Sequence, residues 1–311
     1  MELIINLAYI LASAGLLWFG AVWIVDSASA IARRFRLSEL TIGLTIVALG
    51  TSLPEFLVTV TAAFRGLGDI SLSNIIGSNI FNLGIILGIA ALIGPITASK
   101  TLIRRDALFL LFLTISVLIM MLDLRLGRWA GFFLIFVFVS YNALIFFRGA
   151  RLGMDLEVPG QRKAAARDYW KICLGFAMIA AGGHFMVEGA SSLAGLMGIS
   201  QWAIGATIVA AGTSLPELVT CLVAAIRGKN DMLLGNLIGS DIFNFAGVLG
   251  LTCLLNPITM SASAIPSMLT LLGMVVLVMF FMRTGFRITR MEGAVLVLIS
   301  LARWTLDFRI F

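Results

Sequence analysis

Ile42 to Gly88 reads IGLTIVALGTSLPEFLVTVTAAFRG…SNIIGSNIFNLGIILG, and Ile204 to Gly250 reads IGATIVAAGTSLPELVTCLVAAIRG…GNLIGSDIFNFAGVLG. The two stretches align without a gap at an offset of 162 (217 minus 55), and 27 of the 47 paired positions are identical. Each sets a glutamate, Glu55 or Glu217, in the middle of an apolar helical pattern. A carboxylate at membrane depth costs at least about 2.5 kcal/mol. A chain that accepts this cost twice, at matching positions, uses the charge.

Membrane depth follows from composition. The 311 residues are 60% hydrophobic and 12% charged, with a mean hydropathy of +1.06. A soluble domain carries roughly 25% charged residues, so this is an all-α membrane protein. At about 20 apolar residues per span, the pattern predicts about ten transmembrane helices: 3–25, 41–64, 72–97, 106–122, 129–147, 171–194, 202–226, 233–256, 264–282 and 291–308. The first has no basic n-region or small-residue cleavage site and is expected to be retained.

The formal net charge of +6 does not point to nucleic acid. On this span assignment, 17 of the 22 Lys and Arg fall in the loops after helices 1, 3, 5, 7 and 9, leaving Arg65, Arg125, Arg128, Arg303 and Arg309 opposite. The positive-inside rule then puts both termini outside the cytoplasm of a cell (inner) membrane protein. Trp18, Trp23, Trp129, Trp170, Trp202 and Trp304 mostly lie near span ends, as interfacial anchors do. Cys173, Cys221 and Cys253 lack framework spacing and read as small apolar residues.

One polar interruption, 148–168, separates a first repeat at 1–147 from a second at 169–311. Five spans per half is an odd number, so the second copy enters the membrane in the opposite sense. The architecture expected is two inverted-topology repeats of five helices. Asp26 and Glu188, near the ends of helices 1 and 6, keep the same offset. They are expected to cap neighbours or pair with loop arginines.

The chemistry sits in GTSLPE. Pro54 has no N–H, so the turn reaching back to Gly50 opens and carbonyls near Ala48 to Thr51 are freed. Irregular backbone at bilayer depth is tolerated where it lines a cavity. Thr51 and Ser52 lie one turn before Glu55, and Ala210, Thr213, Ser214 and Glu217 repeat the set. The next helix of each half carries a polar stripe: Asn74, Ser78 and Asn82, then Asn236, Ser240 and Asn244. Ser78 and Ser240 read as site residues, whereas Asn74 and Asn236 fit site or interhelical glue equally. Two carboxylates with hydroxyls and carbonyls suit a hard cation such as Ca²⁺, and subsets of the same oxygens suit Na⁺. Occupancy of one cluster by either ion in turn is a physical route to exchange.

GTSLPE in both halves, each followed by GS-x-IFN, resembles the sodium/calcium exchanger family of the cation/calcium antiporter superfamily, in its short prokaryotic form. The resemblance implies a central site between the second, third, seventh and eighth helices and electrogenic Na⁺/Ca²⁺ exchange by alternating access. It implies Ca²⁺ ligation by the Glu55 and Glu217 side chains and the Thr51 and Thr213 carbonyls. For Na⁺ it implies Ala48, Thr51, Ser52, Ser78, Ala210, Thr213, Ser214 and Ser240, with Asn82 and Asn244 beside the central site. Ions are the substrates, and no cofactor is expected. Some relatives carry aspartate where Asn244 stands, so the central charge is expected to rest on the two glutamates alone, which disfavours an extra cation. Asp241, paired by offset with Asn79, lies about 100° from the polar stripe (from the 3.6-residue turn) and reads as an entrance or helix-contact residue.

His184, with no partner acid evident on its face, reads as structural rather than as a proton relay. The nearest alternative function is proton-coupled Ca²⁺ exchange, but paired hydroxyls favour Na⁺. A cation channel would use rotational symmetry about its pore, and a scaffold has no need of two buried acids. No nucleophile–base pair or phosphate loop suggests an enzyme.

Overall fold

In the computed structural model, residues 2–35, 37–152, 164–196, 210–262 and 264–310 are described below. The chain opens with α1 (Glu2–Arg34), nine residues longer at its end than the span expected there. Ser38 caps the next helix, its hydroxyl accepting from the Thr41 N–H at 3.1 Å. That helix, α2 (Glu39–Thr51), meets α3 (Leu53–Phe64) at a 50° bend, with Ser52 between them and Pro54 in the first turn of α3. There follow α4 (Gly68–Ile93), α5 (Leu102–Asp123), α6 (Arg128–Leu152) and α7 (Ala166–Leu196). The remainder comprises α8 (Ala210–Thr213), α9 (Leu215–Ile226), α10 (Asn230–Leu255), α11 (Ala264–Arg283) and α12 (Arg290–Ile310).

Among the described residues, seven helices are long and apolar enough to cross a membrane: α1, α4, α5, α6, α7, α10 and α11, with the bent α2–α3 pair an eighth. Of the predicted seventh span, 202–226, residues 202–209 lie outside the described residues, as do Trp202 and 153–163 of the expected linker. Helix α6 runs five residues into that linker, and α7 begins before its expected end.

The third span was expected to reach 97, but α4 ends at Ile93, where Gly94 and Pro95 stop it. Short strands follow, a departure from the all-helical expectation. β1 (Ile96–Thr97) pairs antiparallel with β4 (Arg287–Ile288), and β2 (Arg125–Leu126) pairs with β3 (Ile258–Thr259). Chain between helices must find partners for its amides, and here it finds them in the other half.

The 162-residue offset reappears in the backbone. Helices α3 and α9 correspond end to end, as do β1 with β3 and β2 with β4. The left-handed residues Leu124 and Phe286 (φ 53° and 54°) correspond, and so do Gly66 and Gly228. Both α4 and α10 widen to a π-helical turn just past the GS-x-IF motif, at Asn82–Ile86 and Phe243–Leu249. Such turns often mark functional sites.

Helices α4 and α10 form the centre. Their most apolar windows are 72% and 83% buried, against 22–44% for the other long helices. Helix α2 crosses α10 at backbone contact: a Cβ on Gly239 would lie 2.7 Å from Leu44 Cα, and one on Gly43 2.7 Å from the Met232 carbonyl. Small residues permit that approach. Helices α1 and α7 run antiparallel, tied at one end by Arg34 Nη1 to the Ala164 carbonyl (3.0 Å) and at the other by Asn6 Nδ2 to Ser192 Oγ (2.8 Å). A buried acid not singled out in the sequence, Asp106, joins α5 to α6. Asp106 accepts from Arg105 Nε (2.7 Å) and from the Tyr141 hydroxyl (2.9 Å). At the equivalent positions, Arg303 Nη2 donates to Ser267 Oγ (2.8 Å), linking α12 to α11.

Candidate ion-binding site

The two GTSLPE bends meet at the centre, and each supplies a hydroxyl to the other's acid. Ser52 Oγ donates to Glu217 Oε1 at 2.7 Å, and Ser214 Oγ donates to Glu55 Oε1 at 2.9 Å. Both glutamates are 1% exposed. Among the described residues, their second oxygens, Glu55 Oε2 and Glu217 Oε2, have no hydrogen-bond partner. Among the described residues, no ion pair reaches either acid. Buried polar atoms are nearly always satisfied, so two orphaned carboxylate oxygens in one cluster mark a place built for cations.

The bend makes this possible. Ser52 leaves helical geometry (φ −85°, ψ 12°), as does Ser214 (φ −90°, ψ 8°), each just before a proline-bearing first turn. The Ala48 carbonyl nevertheless remains engaged, accepting from Ser52 N at 3.1 Å and Thr51 Oγ1 at 3.4 Å. Of the expected freed carbonyls, that one keeps its local bonds. Ala210 opens α8, in the equivalent position.

Helices α4 and α10 close the cluster. Ser78 Oγ lies 3.3 Å from Ser214 Oγ, and Ser240 Oγ faces Glu217 without a hydrogen bond. Thr51 Oγ1 bonds the Val47 carbonyl (3.1 Å) and Asn236 Oδ1 (3.2 Å). Thr213 faces Glu55 from the other bend and is half-buried, whereas Thr51 is 1% exposed. Asn74 and Asn236 act as interhelical ties: Asn74 Nδ2 donates to Thr59 Oγ1 (3.0 Å) and Asn236 Nδ2 to Cys221 Sγ (3.3 Å), a matched pair. Cys221 is thus a hydrogen-bond acceptor as well as a small buried residue.

Asn82 and Asn244 lie where α4 and α10 cross, in a second reciprocal set. Asn82 Nδ2 donates to Asp241 Oδ1 (3.0 Å), and Asn244 Nδ2 donates to Asn79 Oδ1 (2.9 Å). Asn82 Oδ1, Asn244 Oδ1 and Asp241 Oδ2 are left without partners. Asp241 is wholly buried at the helix crossing, so of the two roles expected for it the helix contact is the one seen. Asp241 and Glu217 are also electrostatic neighbours. The cue was present in the sequence as the one mismatch between GSNIFN and GSDIFN.

A cavity of about 190 Å³ reaches the bends from one side, lined by Pro54, Thr213, Pro216 and, on α7, Gly183, His184 and Val187. His184 therefore faces a route to the site, and it does have an acid on its face. Its Nε2 lies 3.7 Å from Glu188 Oε2. The i, i+4 spacing places them together on α7.

The reciprocal bonds should matter equally. Ser52→Ala and Ser214→Ala each remove a donor to a buried carboxylate, worth about 1.5–3 kcal/mol. Each is expected to weaken cation binding about tenfold or more, measured by isothermal titration with Ca²⁺ on purified protein. A large effect from only one of the two would contradict the reciprocity.

The family profile described as Sodium/calcium exchanger protein matches residues 5–147 and 168–301. The putative antiporter CaxA of Alkalimonas amylolytica is 35% identical over 302 residues, covering 93% of this chain and 94% of that one. The sodium/calcium exchanger MaX1 of Methanosarcina acetivorans is 30% identical over 325 residues, covering 91% and 93%. Among solved structures, the sodium-calcium exchanger NCX_Mj soaked with 10 mM Na⁺ and zero Ca²⁺ matches with a TM-score of 0.86 and 31% identity, over 96% of this chain and 98% of that one. A site of two facing carboxylates on paired broken helices, a profile match across both halves and whole-length relatives agree: the chain belongs to the sodium/calcium exchanger protein family.

Proposed function

We propose that this protein exchanges Na⁺ for Ca²⁺ by alternating access, with net charge moved in each cycle. The observation that carries the reading is the pair of buried carboxylates, each holding one hydroxyl and presenting one unpartnered oxygen. One Ca²⁺ between Glu55 and Glu217 neutralises both acids, which limits the cost of burying them. Several Na⁺ ions can take the same oxygens in its place. Mutual exclusion at one cluster couples the two fluxes.

In this reading Glu55 and Glu217, with the carbonyls of Thr51 and Thr213, hold Ca²⁺. Ala48, Thr51, Ser52, Ser78, Ala210, Thr213, Ser214 and Ser240 serve Na⁺, and Asn82 and Asn244 flank the centre. Residues 1–147 and 169–311 are two five-helix repeats of opposite sense joined by 148–168, giving ten spans. The 162-residue recurrence of helix ends, strands and left-handed residues supports this. The arginine distribution supports a cell (inner) membrane location with both termini outside the cytoplasm.

The test is ⁴⁵Ca²⁺ uptake into proteoliposomes with membrane potential clamped. An outward Na⁺ gradient should drive uptake, and reversing the clamped potential should change its rate. Uptake driven by an outward proton gradient but not by Na⁺ would replace this reading with proton-coupled exchange.

A further inference from the structure

The offset that relates the two sites also relates four charged residues near the ends of α1, α7, α3 and α9. Asp26 on α1 corresponds to Glu188 on α7, and Arg65 after α3 corresponds to Arg227 after α9. Only one cross-pair is made. Arg227 Nη2 lies 3.6 Å from Asp26 Oδ2. Its counterpart is open: Glu188 turns to His184, and Arg65 has no ion-pair partner among the described residues.

The two pairs belong to opposite faces of the protein. Glu39, at the start of α2, bonds Lys229, two residues beyond Arg227, so Arg227 lies at the face where α2 begins. Arg65 follows α3, at the far end of the same bent helix. Because α1 and α7 are antiparallel, Asp26 and Glu188 divide between the faces in the same way.

Access to the site is divided likewise. On the Arg65 face, the cavity runs along α7 past Gly183, His184 and Val187 to Thr213. On the Arg227 face, Val25 of α1, the equivalent of Val187, is fully buried, Val22, the equivalent of His184, is half-buried, and Thr51 is 1% exposed. Among the described residues, the made ion pair thus lies on the more closed face and the unmade one on the more open face.

We propose that Asp26–Arg227 and Glu188–Arg65 are alternating positioning pairs for the transport step, each formed while its own face is sealed. The inference rests on the alternating-access reading and adds to it the residues that set its balance. An exposed pair of this kind biases a two-state equilibrium by up to about fivefold. That is enough to tune which face is open and too little to lock the protein. Inverted repeats make two such pairs natural, because a contact that seals one face has its image on the other.

The experiment reads access at Ala180, a cavity-lining residue, in the full chain. Ala180→Cys is made in a background carrying Cys173→Ser, Cys221→Thr and Cys253→Ala, threonine being the residue found at the position equivalent to 221. A neutral, membrane-impermeant maleimide is applied in proteoliposomes from the Arg65 face, in Na⁺ and then in Ca²⁺. In the parent, the labelling rate should change with the ion. If it does not, alternating access itself fails. Asp26→Asn should slow labelling by up to about fivefold, because sealing of the Arg227 face is weakened. Glu188→Gln and Arg65→Gln should speed it. Exchanging the charges, Asp26→Arg with Arg227→Asp, should restore the parent rate. If the parent responds to ions while Asp26→Asn and Glu188→Gln shift labelling in the same direction, or not at all, the pairs have no such role and the proposal falls.

Discussion

Glu55→Gln, and separately Glu217→Gln, is expected to abolish Ca²⁺ transport while leaving a folded protein. Glutamine keeps the shape and can still accept from Ser214 or Ser52, which bond Oε1 of the two acids. What it loses is one of two charges facing a single ion. Removing one partner from a buried charge cluster costs about 3–5 kcal/mol, two to nearly four orders of magnitude in affinity. ⁴⁵Ca²⁺ flux at micromolar Ca²⁺ should fall to the level of empty liposomes. The same variants should melt higher than the parent in chelator, because two facing acids without a cation repel and one no longer does. Retained flux in either variant would refute the site. A lower melting temperature in chelator would show that the acids stabilise the fold and are not held there against its preference.

Gly239→Val is expected to disrupt assembly more than chemistry. Its Cβ would meet the Leu44 Cα and carbonyl at 2.7 Å and Ala48 Cβ at 2.9 Å. These are atoms of the helix that carries the first bend, and backbone cannot move aside as a side chain can. Overpacking of this kind costs about 1–3 kcal/mol and sometimes more. Size-exclusion profiles in detergent and thermal melts should show a protein aggregated or several degrees less stable. Gly77→Val at the equivalent position of α4 is the internal control. No described atom lies within 4 Å of a Cβ there, so it should fold normally. Equal damage from both would mean that the α2–α10 contact is not the constraint.

How far the sequence reaches can be judged residue by residue. The bends at Ser52 and Ser214 were legible because a proline breaks a helix through its own missing N–H, whatever surrounds it. The membrane setting and the burial of the two glutamates were legible for a similar reason, since burying a charge has a cost independent of context. The oxygen-rich character of the site followed from residue types alone.

Other features could not be read this way. The fate of Asp241 depended on a neighbour 159 residues away, Asn82, which takes it into the helix crossing and away from any entrance. His184 gained its acid from its own helix turn and its exposure to the cavity from the opposing bends. Cross-pairing of β1 with β4 and β2 with β3 needed the two halves brought together.

The amino-acid sequence alone thus determined a duplicated, helical membrane protein with two acids held at depth, because propensity, hydrophobicity and charge burial are local costs carried by each residue. Tertiary structure alone decided that each serine serves the opposite half's glutamate, that Asp241 is buried where α4 and α10 cross, and that a cavity along α7 reaches the bends. Those outcomes arise from contacts between residues about 160 positions apart, whose geometry exists only once the helices have packed.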